Sequence, residues 1–412
     1  MIVESPKQHY DVVIIGGGMV GSSFALSLEA AMAGSTISVL VVEASNIQPN
    51  TLNSDNFDAR STALSYGSTL IFKQAELRDE ILAFATAIKK IHVSDKGRFG
   101  SAQLDCADYG IDALGYVVEN QCIGKVLAQA LAKSKTIDHL GGASVTGAIP
   151  KIEGLSLKLR VADKEEQELS AGLTVLADGG RSPLCTALGI SIDKKDYSQH
   201  GLIANIGFTK PHLNQAFERF TETGPLAVLP LQTIAGENRA ALVWTVLERE
   251  VSQLLTLDND QLLARLQRSF GDRLGAITRI GKLVHYPLSL SQSAEQVRPG
   301  LVLLGNVAHT LHPVAGQGLN LALRDAQALV RSLCAARANG ESLGAMPVLQ
   351  GYAEKQREDQ RSTIAATDSL VRLFSSNEVS KVLLRKFGLI SLEMVPSMKR
   401  LFAQQAMGLT KP

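Results

Sequence analysis

Between Asp11 and Glu43 the sequence reads Asp-Val-Val-Ile-Ile, then Gly-Gly-Gly-Met-Val-Gly, then small and apolar residues from Ser22 to Ala33, then Ser38-Val-Leu-Val-Val-Glu43. An apolar strand, a G-x-G-x-x-G turn, a helix and a second strand ending in an acid make up a dinucleotide-binding α/β unit. Each glycine has its own reason. Gly16 permits the tight turn, Gly18 lets a diphosphate reach main-chain N–H groups, and Gly21 lets helix and strand touch. Glu43, 22 residues beyond Gly21, is spaced to accept both hydroxyls of an adenosine ribose. An acid there opposes a 2'-phosphate, so the expected ligand is FAD or NAD in preference to NADP.

A chain that begins this way must build a covered sheet. Its 412 residues, 45% of them hydrophobic, suffice for that, for a second domain and for a helical C-terminal extension. The net charge of +1, from 41 basic and 40 acidic residues, gives no reason to expect nucleic acid as a partner. Cys106, Cys122, Cys185 and Cys334 are scattered without metal-ligand spacing, which fits free thiols and no structural metal. No secretory signal opens the sequence and no apolar run is long enough to span a bilayer, so a cytoplasmic protein is expected, with surface attachment left open.

Two further stretches carry chemistry. The apolar run Leu173 to Leu176 ends in Ala177-Asp178-Gly179-Gly180-Arg181-Ser182, with a helix expected from Pro183. Alone, Asp-Gly after a strand reads as a turn. The second stretch runs from Gly305 to Asn320, between a short apolar strand at Leu301 to Leu304 and a helix-periodic segment, Leu321 to Leu333. Gly316 and Gly318 bare the backbone where a helix begins, which suits an anionic or electron-rich ligand.

Elsewhere the pattern is plainer. Ser61 or Thr62 is expected to cap a helix running to Leu77, beside which Arg60 is either a solvated arginine or a cation over a diphosphate or flavin. Ile88 to Val93 and Gly115 to Glu119 read as a strand and its return, and Asn120 or Gln121 opens a helix to Lys133. Strands are expected in Ala143 to Val161, Gly201 to Phe208, Leu226 to Leu231, Ala240 to Val246 and Leu283 to Leu290, interrupted by one helix, Asp258 to Phe270. Leu349 to Phe374 is helical.

The three glycine stretches occur in the order and spacing of the group A flavoprotein aromatic hydroxylases, which the chain resembles over nearly its whole length. Phe217-Glu-Arg-Phe220, Gly224-Pro-Leu-Ala-Val-Leu-Pro230, His309 to Gly318 and Thr367-Asp-Ser-Leu-Val371 bring it nearer to the ubiquinone-biosynthesis hydroxylases, among them those acting on 2-octaprenyl-6-methoxyphenol. The resemblance implies a Rossmann-like α/β FAD-binding domain with an inserted, mostly antiparallel sheet and a helical C-terminus. The FAD domain would comprise residues 1–85, 115–182 and 297–345, the substrate domain 86–114 and 183–296, and the C-terminal region 346–412.

By the same resemblance Gly16, Gly18, Gly21 and Glu43 hold the ADP part of FAD, and Asp178 and Gly179 support the diphosphate region. Asn306 faces the ribityl chain, and the backbone at Gly316, Gly318, Leu319 and Asn320 faces the flavin. Most of the family carry Asp where Asn306 stands; the amide keeps the hydrogen bonds without the charge. Phe220, Leu226, Val228, Pro230 and Pro313 would line the substrate. The implied chemistry is reduction of FAD by NADH or NADPH, addition of O2 to give a C4a-hydroperoxyflavin, and transfer of oxygen to the ring of a polyprenylated phenol.

No second glycine-loop unit is visible, so the nicotinamide nucleotide is expected to bind only transiently. His309, His312, His285 and Tyr286 are candidate acid–base groups, each with a structural reading beside it. From Ser380 to Pro412 the basic residues Lys381, Arg385, Lys386, Lys399, Arg400 and Lys411 face one acid, Glu393, among apolar residues. Such a tail suits an anionic membrane surface, packing on the body, or contact with another ubiquinone-biosynthesis protein. Hydroxylation of a small soluble aromatic and a flavin-bearing assembly subunit are the alternative functions.

Overall fold

The chain is described from a computed structural model over residues 6–45, 59–97, 100–161, 165–180, 182–374 and 393–409. The opening strand His9–Ile15 lies between two parallel neighbours, Val39–Glu43 and Gln167–Leu176, because its apolar run is buried on both faces. Leu301–Leu303 extends the parallel sheet beyond Gln167–Leu176, and Ile137–Gly141 extends it beyond Val39–Glu43. Ala143–Pro150 and Leu155–Val161 add an antiparallel hairpin, and Val297–Arg298 an edge. Helices Met19–Ala31, Asn120–Lys133 and Gln317–Ala338 cover one face, where Phe24, Leu28, Val41, Ile123, Leu323 and Leu329 are out of water. Each such side chain contributes about 1.5–3 kcal/mol of burial.

The second sheet has nine strands among the described residues, and its core is the antiparallel set Ile192–Phe208, Asn238–Leu247, Gly224–Pro230 and Gln215–Thr221. One face packs Leu202, Ile206, Leu226, Val228, Leu242 and Trp244 under the helices Glu248–Leu255 and Asn259–Phe270. The other looks toward the first sheet across a small sheet of Ser61–Ser65, Gly115–Glu119 and Ala85–Ile88. Buried Arg239 reaches from this inner face to Glu119 of the small sheet, 3.2 Å from Nη2 to Oε1. The helix Met346–Phe374 packs on Gln317–Ala338.

Several expectations need correction. Ser61 and Thr62 do not cap a helix: Ser61–Ser65 is a strand, and Ser65 caps Tyr66–Gln74 through its side chain. Gly115–Glu119 is not the return of a strand through Val93. The strand is interrupted at Lys89, so Ala85–Ile88 joins the small sheet while Lys90–Asp95 pairs with Ser101–Asp105 and Gln215–Thr221. Two helices, not one, interrupt the second sheet, and the strand Gln215–Thr221 was not anticipated. No helix among the described residues is long and apolar enough to cross a membrane.

Candidate functional site

All three glycine stretches lie at the carboxyl ends of adjacent parallel strands, since Ile15 is in register with Leu176 and Leu176 with Leu303. In open α/β sheets this is where ligands bind. The loops touch. Gly16, at φ +103°, is so close to the second loop that a Cβ there would fall 2.5 Å from the Ala177 carbonyl oxygen and 2.8 Å from Asp178 Cα. A Cβ on Gly180 would be 3.2 Å from Thr310 Oγ1 and 3.8 Å from Asn306 Cβ, and one on Gly305 would be 3.3 Å from Val20. The strands therefore bring together what lies far apart in sequence.

Two helices open toward this junction without a side-chain cap. Met19–Ala31 starts at Gly18 and Gln317–Ala338 at Gly316, whose φ of +60° is left-handed; neither first turn carries an acid. A Cβ at Gly18, Gly179 or Gly318 would meet nothing within 4 Å, so these glycines keep open surface. A Cβ at Gly21 would fall 1.9 Å from the Gly16 carbonyl oxygen, so this glycine serves helix–strand contact. Uncapped first-turn N–H groups over glycine-bared surface suit a diphosphate at one helix and an electron-rich ring at the other.

Glu43 is part of the first loop. Its Oε2 accepts from Gly17 N at 2.7 Å, and Oε1 accepts from Ser45 N at 3.0 Å and Ser45 Oγ at 2.7 Å. A carboxylate offers about four acceptor positions, so a ribose hydroxyl can use the remaining one or displace exposed Ser45. Asn306 is exposed, its main-chain oxygen held by Thr310 Oγ1 at 3.0 Å. Leu319 turns its side chain into the core, leaving its backbone to the site. These residues fit FAD.

The Asn320 side chain is fully engaged. Its Oδ1 accepts from Ser65 N at 2.8 Å and Ser68 Oγ at 2.7 Å, and its Nδ2 donates to the carbonyls of Ala63 at 2.9 Å and Gly316 at 2.7 Å. It locks the helix start to the small sheet, a role that spacing along the chain does not reveal. Arg60 is exposed and close enough to Tyr286 for its charge to favour the phenolate. Burial pushes the Tyr286 phenol up regardless, and its ring lies over Gly201 on the inner face. Arg181 lies outside the described residues.

His309 and His312 are buried, at 2% and 1% exposure. His309 Nε2 is 2.6 Å from Asp325 Oδ2, and Asp325 Oδ1 accepts from Gln356 Nε2 at 2.8 Å and Gln360 Nε2 at 3.0 Å. His309 is thus a tie between loop and helices. His312 Nδ1 accepts from Val314 N at 3.2 Å, and burial pushes the imidazole down to about 4, so the ring is neutral. Its edge meets Tyr197, whose hydroxyl donates to Asp368 at 2.8 Å. Asp368 stays below the ordinary carboxylate range despite burial, because Lys195 and Tyr197 donate to it. His285 stands in an exposed pair with His200, Nδ1 to Nδ1 3.4 Å.

Of the expected substrate-lining residues, Phe220 packs with Val93 and Val314 on the inner face, and Pro313 directly precedes Val314 in the loop. Leu226 and Val228 belong to the opposite face, beneath the two helices, and Pro230 shares their phase. Their alternates, Pro225, Ala227 and Leu229, look inward. The correction is one of strand phase: Gly224–Pro230 is apolar throughout and shows no alternation that would fix it.

The family profile described as "FAD binding domain" matches residues 9–362. Among solved structures, p-nitrophenol 4-monooxygenase PnpA from Pseudomonas putida superposes with a TM-score of 0.78 at 18% identity, covering 97% of this chain and 99% of that one. Fold and site together define an FAD-dependent monooxygenase of the group A flavoprotein type. Ubiquinone hydroxylase UbiL of Rhodospirillum rubrum is 33% identical over 404 residues, 97% of this chain and 90% of the relative. The 3-demethoxyubiquinol 3-hydroxylase of Escherichia coli is 30% identical over 409 residues, 98% of this chain and 100% of the relative. The chain belongs to the FAD-binding family of ubiquinone-biosynthesis hydroxylases.

Proposed function

We propose that the protein hydroxylates the aromatic ring of a polyprenylated phenol on the route to ubiquinone. The observation that carries this reading is an end-to-end likeness to ubiquinone hydroxylases, at 33% and 30% identity. The apolar inner face at Phe220, Leu229 and Val314 supports it, since a phenol bearing a hydrocarbon tail needs such a wall. FAD, when bound, takes electrons from NADH or NADPH and activates O2. The protein's part is to hold and shelter. Gly16, Gly18, Gly21, Glu43, Asp178 and Gly179 hold the adenosine and diphosphate end, with Arg60 as a cation nearby. Asn306 and the backbone at Gly316, Gly318, Leu319 and Asn320 hold the flavin end, where unpaired N–H groups favour negative charge. The apolar wall keeps water from the ring.

The first sheet with the small sheet is the FAD domain in this reading, and the second sheet with its two helices is the substrate domain. The enzyme works in the cytoplasm at the membrane surface. Support comes from Met394, Met398 and Leu401, exposed beside Lys399 and Arg400 near the helix Pro396–Ala406. Lys381, Arg385, Lys386 and Lys411 lie outside the described residues. Contact with other ubiquinone-biosynthesis proteins would use the same region.

Quinone analysis of a strain lacking the gene tests the reading. Accumulation of a polyprenylated phenol short of one ring hydroxyl is expected, and its structure identifies the carbon. An unchanged quinone profile would refute the proposal.

A further inference from the structure

Glu218 lies on Gln215–Thr221 between Ala216 and Phe220 and shares their inward-facing phase. Its in-register neighbours are Val93 on one side and Ala227 on the other. Ala216 packs with Val117 and Ala63, and Ala63 in turn lies against Gly316; Phe220 packs with Val314. The carboxyl is therefore bracketed by the residues that meet the flavin loop. Its Oε1 is out of water and has no hydrogen-bond partner among the described residues. Glu218 is part-buried, and holding its unpartnered Oε1 out of water among apolar groups costs stability and contributes nothing to packing. Burial alone pushes this carboxyl up to about 7, where it can exchange a proton near neutral pH.

We propose that Glu218 is the general base of the substrate site, its carboxylate accepting the hydrogen bond of the substrate's phenolic hydroxyl and then its proton. The phenol O–H bond breaks, a carboxyl O–H bond forms, and the electron pair stays on the phenolate oxygen, enriching the ring carbons. When the hydroxylated carbon releases its own C–H proton to solvent, the C–H electron pair restores the aromatic ring and the carboxyl proton returns to the phenolic oxygen, so Glu218 is unchanged over a cycle. This assignment rests on the phenol reading above.

Other ionisable groups around this face are few. Asp95 lies on Glu218's side of the neighbouring strand, two residues beyond Val93. Pro225, Ala227 and Leu229 offer none. Neutral His312 lies in the loop, Tyr197 beside it donates to Asp368, and Asp368 on Met346–Phe374 is paired with both Arg372 and Lys195. Tyr286 and Arg60 stand toward the far end of the sheet, and Arg239 is paired with Glu119. Asp95 is the one rival.

The test uses FAD-loaded, oxidised protein and 2-methoxyphenol, with binding followed by calorimetry from about pH 5.5 to about pH 8.5, a range that brackets neutral titration. Wild-type affinity is expected to rise several-fold as pH passes about 7, because a hydrogen bond to an ionised acceptor is roughly twice as strong. Glu218→Gln should stay at the low-pH affinity throughout, with kcat/KM down roughly 100-fold or more. Glu218→Asp should keep a rise, and Asp95→Asn should follow wild type. A rise that persists in Glu218→Gln, or vanishes in Asp95→Asn alone, overturns the assignment. Absence of binding to wild type would instead sink the phenol reading itself. FAD occupancy and melting temperature confirm that each variant is folded; if Glu218→Gln is not, loss of the rise in folded Glu218→Asp overturns the assignment.

Discussion

At Gly21 a methyl group would fall 1.9 Å from a carbonyl oxygen, whereas at Gly318 it would touch nothing. Both glycines belong to the stretches proposed to hold FAD, yet they answer to different forces. Gly21→Ala must push helix and strand apart, at about 1–3 kcal/mol, so apoprotein melting temperature and FAD content should fall together. Gly318→Ala should leave the apoprotein as stable or more stable by about 0.5–1 kcal/mol, since alanine favours a helix, while FAD affinity drops about tenfold or more. Melting and flavin titration of the two apoproteins separate these outcomes. His312 gives a pH signature. Its ordinary value is 6.5 and its folded value about 4, so above neutrality the ring is neutral folded or unfolded and contributes no slope. As pH falls through that window the unfolded chain takes up a proton that the folded chain refuses, and stability falls by roughly 3 kcal/mol. Denaturant melts from about pH 7 to about pH 4 should show His312→Gln losing less than wild type by a comparable amount. The glycine identities were legible in sequence because spacing alone constrains them. The engagements of Asn320, His309 and Glu43 were not, because each depends on which strand arrives beside it.

Among elements, the start of Gln317–Ala338 is tied by Asn320 and its middle by Asp325. Asp325 is 1% exposed and accepts from His309, Gln356 and Gln360, joining the loop strand and Met346–Phe374 to one carboxylate. Asp325→Ala strands these buried donors, and a loss of about 3–5 kcal/mol is expected, read as a lower urea midpoint at unchanged m-value. Helix Asn259–Phe270 was readable because Asp258 and Gln261 form a capping box. Glu248–Leu255 was missed because eight residues opening Glu-Arg-Glu give too short a period to recognise. Strands 224–230 and 215–221 show the other failure. An apolar run states that a strand is buried but not which side faces the ligand, and that choice moves the proposed substrate wall from Leu226 and Val228 to their neighbours.

Across the molecule the two large sheets are joined through the small one, and buried Arg239 pairs at that join with part-buried Glu119. Arg239→Met leaves Glu119 without this partner beside the proposed substrate face. A loss of about 3–5 kcal/mol is expected, whereas the double variant Arg239→Met with Glu119→Leu should recover much of it. Failure of the double variant to recover would mean that the pair is not what couples the sheets. The order in which the site's walls are made has its own consequence. Gly16 to Gly21 leave the ribosome first, and Leu301 to Asn320 follow nearly 300 residues later. At about 5–20 residues per second the first loop waits roughly 15–60 s for its opposite wall. In the proposed site, a flavin that touches both walls can bind only once the chain has emerged beyond Asn320.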